Sequence, residues 1–181
     1  MSEFLVIAEK PSVAQSYAKN LSAYKREDGY LEGESCIVSW CLGHLAEYAQ
    51  PEEYDPKYEK WQFDDLPILP EAWKLKVSKD KKKQFDVLKG LMNRSDVEYL
   101  VNGCDAGREG ELIFQRVYVL AGCRKPVKRL WISSMEDAAI QKGFQTMKSE
   151  EEYKNLCMAA VCRAQADWLI GMNGTRAYTT R

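Results

Sequence analysis

An acidic, glycine-rich stretch between a strand pattern and a helix pattern constrains the fold of this 181-residue chain most strongly. Residues 97–101 are typical of a strand, and the apolar residues of 112–121 recur about every 3.6 positions, as in a helix. Asp105, Glu109 and Glu111 lie between the two. In α/β sheets, ligands bind in the crevice beyond the carboxyl ends of the strands. The stretch therefore predicts a strand–turn–helix unit whose acids line such a crevice.

The rest of the chain repeats this alternation of strand and helix. Apolar runs predict further strands at residues 4–8, 36–41 and 128–132. Helical patterns follow at residues 13–21, 84–91, 140–147 and 150–172. Prolines favour irregular structure between residues 50 and 75. The order predicts an α/β fold with a mostly parallel sheet and helices on both faces, followed by a short helical segment.

Two capping boxes are predicted to mark the starts of helices. They pair Ser12 with Gln15, and Ser133 with Glu136. Each pair follows a predicted strand by a few residues, so each predicts where the chain turns from strand into helix.

Glu9 follows its strand in the same way that Asp105 follows another. If these strands are neighbours, Glu9 faces Asp105 and Glu109 across the crevice. Clustered carboxylates repel one another and need a cation or protons to coexist, and hard oxygen ligands favour Mg²⁺ over zinc. The simpler alternatives are an ion pair between Glu9 and Lys10 or Arg108, and acids that only complement a helix dipole.

Composition narrows the function classes only in part. The net charge of −1 gives no overall basic signature, although the run from Lys74 to Lys83 is either a solvated face or a contact for a phosphate backbone. Six cysteines without a C-x-x-C pair, with His44 as the one histidine, argue against zinc. Free thiols favour a reducing cytosol, and no run has transmembrane length. A lone histidine is more often structural than catalytic, although histidine is also the residue type most often used as a general acid or base.

Six sequence blocks carry a further signal, and they span residues 4–12, 40–45, 61–67, 105–111, 129–135 and 164–173. In sequence and in order, these blocks resemble the bacterial DNA topoisomerase III group of type IA topoisomerases. The resemblance covers essentially the whole chain. It implies a Toprim domain, a Rossmann-like fold, at residues 1–148. Residues 149–181 would then be the first segment of a helical DNA-gripping domain.

The resemblance also implies roles for individual residues. Glu9, Asp105 and Glu109 match the Mg²⁺ ligands, while the middle acid of the D-x-D-x-E motif is replaced here by Gly107. Glu111 or a water is a candidate substitute for that ligand. The implied catalytic residues are Glu9, Lys10 and Glu109, with His44 as a further candidate. Implied phosphate or DNA contacts are Lys10, Arg108 and Arg176.

The implied activity is transient cleavage and religation of one DNA strand, acting on single-stranded segments in the cytoplasm. The tyrosine nucleophile of the family lies in a domain outside the matched blocks, so the isolated chain is expected to be inactive without the remaining domains. Its helix at 150–172 is expected to fold back, pair with another copy or fray. The alternatives are a Toprim-type nuclease or primase-like domain, and a non-enzymatic nucleic-acid-binding module.

Overall fold

Short strands and five α-helices alternate along residues 4–181, the part of the chain described by this computed structural model. The strands are β1 (Phe4–Ala8), β2 (Lys25–Glu27), β3 (Tyr30–Glu32), β4 (Cys36–Trp40), β5 (Ala46–Tyr48), β6 (Leu75–Val77), β7 (Tyr99–Gly103), β8 (Val127–Arg129) and β9 (Lys148–Ser149). The helices are α1 (Pro11–Asn20), α2 (Lys82–Met92), α3 (Arg108–Ala121), α4 (Asp137–Gln145) and α5 (Lys154–Thr180).

One mixed sheet organises these elements. Within residues 4–181 it has seven strands in the order β2-β3-β4-β1-β7-β8-β9, while β5 and β6 form a separate antiparallel ladder. The four central strands β4, β1, β7 and β8 are parallel, and the outer strands pair antiparallel. This confirms the predicted mostly parallel sheet. Strands β2, β3, β5, β6 and β9 were not predicted from the sequence, because two or three residues show no period.

Both faces of the sheet are covered, which is why its innermost strand β1 is a continuous apolar run. Residues Leu5 to Ala8 of β1 have no exposed surface. Val6 and Val101 pack with the buried residues of α1 and α4 on one face. Leu5 and Leu100 pack with those of α2 and α3 on the other. The prediction of helices on both faces is therefore confirmed.

The predicted helix starts are wrong in both cases. Helix α1 begins at Pro11 with Lys10 as its N-cap, and no side chain caps it. Proline suits the first helical position because the N–H that it lacks would have no partner there. Helix α4 begins only at Asp137, because the preceding turn is fixed by the Glu136 N–H, which donates to Ser134 Oγ at 3.3 Å.

Element bounds shift by a few residues from the sequence prediction. Strand β7 occupies 99–103 rather than 97–101, and β8 ends at Arg129 rather than at residue 132. The last helix occupies 154–180 rather than 150–172, because residues 150–153 form a 3₁₀ turn. Within residues 4–181, none of the helices combines the length and apolar character needed to cross a membrane.

Helix α5 folds back onto the body of the protein. Its Trp168 packs with Tyr48 and Ile68, and Trp168 Nε1 donates to the carbonyl of Ala49 at 3.0 Å. Asn173 Oδ1 accepts from the Ile68 N–H at 2.6 Å. Of the three outcomes expected for this helix, the structure shows the fold-back. The division at residues 148 and 149 stays a prediction, and strand β9 runs across it.

Gly110 allows the first turn of α3 to lie directly against the Asp105 turn. A Cβ added at Gly110 would lie 2.0 Å from the carbonyl oxygen of Asp105. No L side chain fits at that separation, so the backbone approach requires glycine at this position.

We expect Gly110→Ala to lower the free energy of unfolding by about 1–3 kcal/mol, because the methyl group would push α3 away from the turn. Urea unfolding measures the effect. Gly90→Ala in α2 is the matched control, since its added Cβ meets no atom within 4 Å. That substitution should stabilise the chain by roughly 0.5–1 kcal/mol. Equal behaviour of the two variants would contradict the close approach at Gly110.

Candidate functional site

The carboxyl ends of the parallel strands β4, β1 and β7 lie side by side at one edge of the sheet. Glu9 follows β1, His44 follows β4, and Asp105 follows β7. Strand β1 is the point at which the chain order reverses, since β4 lies on one side of it and β7 on the other. This is the position at which α/β sheets bind ligands. We call the surface formed by Glu9, Lys10, His44, Asp105 and Glu109 the acidic crevice.

Main-chain hydrogen bonds fix the loop that carries His44 against the end of β1. The Cys41 N–H donates to the carbonyl of Ala8 at 2.8 Å, and the Gly43 N–H donates to that of Glu9 at 3.2 Å. The backbones of Glu9 and of the His44 loop are therefore held together, although their side chains come from distant parts of the chain.

The acids of the crevice have different surroundings. Glu9 is half-buried, and its Oε1 lies 3.6 Å from Lys10 Nζ. Asp105 is exposed. Glu109 lies in the first turn of α3, is also exposed, and its Oε2 is 3.1 Å from His44 Nε2. The contact between His44 and Glu109 was not predicted, because 65 residues separate the two in the sequence.

The acids are not gathered into a closed metal site. Within residues 4–181, no three Asp, Glu, His or Cys side chains are grouped so that they could hold a metal ion. Repulsion between carboxylates disfavours such a group when no cation is present, and His44 offers Glu109 another partner. Mg²⁺ commonly uses one or two carboxylates together with waters and substrate phosphates. The donor set therefore fits a loosely held Mg²⁺ and does not form a cage.

Gly107 leaves room where the family motif has its middle acid. It is the N-cap residue of α3, with φ at 161°, an extended conformation that any residue adopts. A Cβ added there meets no atom within 4 Å. The local structure therefore has room for a carboxylate side chain at this position, and the backbone does not require glycine there.

Glu111 does not reach the crevice, so it is not a substitute ligand as it stands. It is fully buried, and its Oε1 accepts from Arg129 Nε at 2.6 Å. Arg129 is also fully buried, and it donates to the carbonyls of Asn102, Cys104 and Asp105 at 3.0, 2.6 and 2.7 Å. Sequence reasoning missed this role. The one signal for it was an arginine directly before the apolar residues 130–132, and that signal does not identify the partner.

The two predicted phosphate-binding arginines are placed differently. Arg108 is the first residue of α3 and is exposed beside Glu109. Arg176 is buried on α5, where its guanidinium lies 4.6 Å from the centre of the Trp61 ring and 3.9 Å from Glu52. The structure thus brings Arg108 to the crevice and places Arg176 against the 50–75 segment.

A further acid, Glu150, lies behind the crevice beside the buried ion pair. Burial, together with the charge of Glu111, raises the pKa of Glu150 to about 7, while Arg129 acts in the opposite direction. One of its carboxylate oxygens is buried without a hydrogen-bond partner. A proton on Glu150 would supply a donor toward Glu111, so the neutral form suits this position.

The parallel sheet with acids at its edge defines a known class of protein. The chain belongs to the Toprim domain family, whose model matches residues 4–135.

More specific likeness comes from curated relatives. DNA topoisomerase 3 of Bacillus subtilis (strain 168) is 50% identical over 181 residues, which is 100% of this chain and 25% of that protein. DNA topoisomerase 3 of Bacillus cereus (strain ATCC 14579) is 51% identical over the same share of each chain. The chain thus spans about a quarter of the length of the curated relatives that it matches.

A solved structure shares the fold. Full-length topoisomerase I from Thermotoga maritima superposes with a TM-score of 0.59 at 19% identity, over 92% of this chain and 24% of that chain. At this identity the likeness concerns the fold alone.

We expect the chain to lose stability as the pH rises from about 4.5 to about 7, because the folded state keeps a proton on Glu150 that the unfolded state releases. Glu150→Gln mimics the neutral form and should remove this fall in stability with rising pH. At pH 8 the variant should be more stable than the unaltered chain by on the order of 2 kcal/mol, since one pKa unit corresponds to about 1.4 kcal/mol.

Urea unfolding at pH 5 and at pH 8 measures the difference. Glu151→Gln is the control, because Glu151 is the next residue and is exposed. An unchanged pH slope in Glu150→Gln would show that Glu150 is charged in the folded chain.

Proposed function

We propose that this chain supplies the cation- and phosphate-binding part of a type IA DNA topoisomerase, with Glu9, Asp105 and Glu109 as ligands of Mg²⁺. The observation that carries the proposal is the placement of these acids and Lys10 at the ends of the adjacent strands β1 and β7 of a Toprim domain. The match to DNA topoisomerase 3 over 100% of the chain supports a topoisomerase rather than a Toprim nuclease or primase.

The chain's own residues account for part of the chemistry. Attack on a phosphodiester builds negative charge on the phosphoryl oxygens and on the departing 3′ oxygen. Lys10, which is exposed at the rim, places a positive charge at the phosphate. Glu109 moves the proton at the 3′ oxygen as a general acid or base, for which its exposed carboxylate turns away from His44 Nε2, 3.1 Å from it. A bound Mg²⁺ supplies neutralisation of the phosphoryl charge and orientation of the DNA end.

The remaining parts of the proposed reaction come from outside these residues. We infer that a tyrosine nucleophile and the other domains belong to the longer protein, which is supported by the match to only 25% of the Bacillus relative. The proposed substrate is single-stranded DNA. A cytoplasmic location is supported by the six cysteines, which are free in the described part of the chain.

We expect weak Mg²⁺ binding by the chain alone, since Mg²⁺ retains most of its waters and the motif lacks its middle acid. Gly107→Asp should tighten Mg²⁺ binding by about ten-fold, because affinity for hard cations rises with the number of carboxylate ligands. Glu9→Gln should weaken it. Calorimetry measures both effects.

Gly171→Asp is the charge-matched control, since Gly171 lies on α5 and also has open space around its Cα. Submicromolar affinity of the unaltered chain for Mg²⁺, or equal affinity in Gly107→Asp and Gly171→Asp, would contradict the assigned site.

The catalytic role is tested in a chimaera in which this chain replaces the matching 181 residues of the Bacillus subtilis DNA topoisomerase 3. We expect the chimaera to relax supercoiled DNA. Glu109→Gln should slow relaxation by about 10²–10⁴, the typical effect of losing a general acid or base. DNA affinity should stay equal or rise, because one negative charge near the phosphates is removed.

Glu98→Gln is the control, because Glu98 is exposed and lies before β7, at the opposite end of that strand from the crevice. The measurements are relaxation rate and DNA affinity, made side by side. Normal relaxation together with weaker DNA binding in Glu109→Gln would show that Glu109 does not act in catalysis.

A further inference from the structure

Four lysines form a compact basic surface next to the acidic crevice. Lys79, Lys81, Lys82 and Lys83 lie on the 3₁₀ turn and the first residues of α2, and we call them the lysine patch. Lys81 Nζ donates to the carbonyl of His44 at 2.9 Å. Since His44 Nε2 lies 3.1 Å from Glu109, the patch borders the crevice directly.

The charge of the lysine patch is only partly neutralised, although the exposed Asp80 lies between Lys79 and Lys81 in the same turn. Lys83 Nζ lies 2.8 Å from Asp28, and both of these side chains are exposed. Lys79 and Lys82 are exposed, and within residues 4–181 neither has a carboxylate at ion-pair distance. The two are therefore available to an anion from solution.

Helix stability does not account for Lys79 and Lys82, the two lysines of the patch that are unpaired within residues 4–181. The first turn of α2 contains no acid, so the positive charges lie at the positive end of the helix dipole. Like charges on neighbouring turns also repel one another. Both effects destabilise the helix. An anion bound over the patch would offset the positive charges and so stabilise the helix.

We propose that the lysine patch binds the phosphate backbone of a DNA single strand where that strand leaves the acidic crevice. The proposal rests on the proposed function and adds a second contact beside the site of chemistry. A strand whose scissile phosphate lies near Lys10 and Glu109 passes His44, and the His44 carbonyl is held by Lys81. Lysine ammonium groups suit this role, since they are compact charges that bind phosphates without reading the sequence.

The test is the binding of a fluorescently labelled single-stranded oligonucleotide to the 181-residue chain, followed by anisotropy between 50 and 200 mM salt. Lys79→Ala with Lys82→Ala removes two phosphate contacts and leaves the Lys81 hydrogen bond in place. The slope of log affinity against log salt should become shallower by about 1.4, at about 0.7 for each contact on a single strand. Affinity at the lowest salt should fall on the order of ten-fold.

The charge-matched control is Lys89→Ala with Lys142→Ala. Lys89 is exposed near the far end of α2, and Lys142 is exposed on α4. This variant should keep the slope of the unaltered chain.

Equal slopes in the patch and control variants would overturn the proposal. Absence of salt-dependent binding by the unaltered chain would overturn it as well. Neither result affects the proposed function, which is tested by relaxation with the chimaera. If the chimaera fails to relax DNA while the patch variant still shows the shallower salt slope, the proposed function fails, and the lysine patch stands as a nucleic-acid contact.

Discussion

The buried guanidinium of Arg129 is the contact on which the geometry of the crevice depends. Its Nε donates to Glu111 at 2.6 Å, and its other donors bind the carbonyls of Asn102, Cys104 and Asp105. These bonds join β8, the end of β7, the turn that follows it and α3 into one unit. Because removing one partner of a buried ion pair costs about 3–5 kcal/mol, the turn is held in a single arrangement.

Arg129 fixes the main chain at the crevice but does not hold the acidic side chains there. Arg129 holds the carbonyl of Asp105, while the carboxylate of Asp105 is exposed at the rim. Glu109 lies only two residues before the anchored Glu111, yet its carboxylate is 67% exposed and has His44 as its partner. The crevice is therefore preorganised in its main chain and adaptable in its acids. A cation in the proposed site would compete with His44 for the Glu109 carboxylate without any change in the sheet.

The sequence was sufficient for the centre of the fold, since β1, β4 and β7 are apolar runs buried on both faces and need no knowledge of their partners. It was insufficient wherever a distant partner decides the outcome. The acidity of Glu111 suggested a ligand, but its partner Arg129 lies 18 residues further on, and no local pattern shows that both charges are buried together. Helix starts were missed for a local reason, because Pro11 begins α1 before Ser12 can cap it.

Glycine at position 107 leaves the crevice with one carboxylate fewer, and it has no effect on the conformation of the crevice. The backbone there is extended and an added Cβ would meet open space, so nothing in the fold requires glycine. A further carboxylate beside Glu9, Asp105 and Glu109 would increase their mutual repulsion when no cation is present. In the Mg²⁺ site that we propose, the absence of this carboxylate weakens the hold on a free cation and lowers the repulsion of an approaching phosphate. We therefore expect cation and phosphate to bind together there, since phosphate oxygens complete the coordination that the protein leaves open.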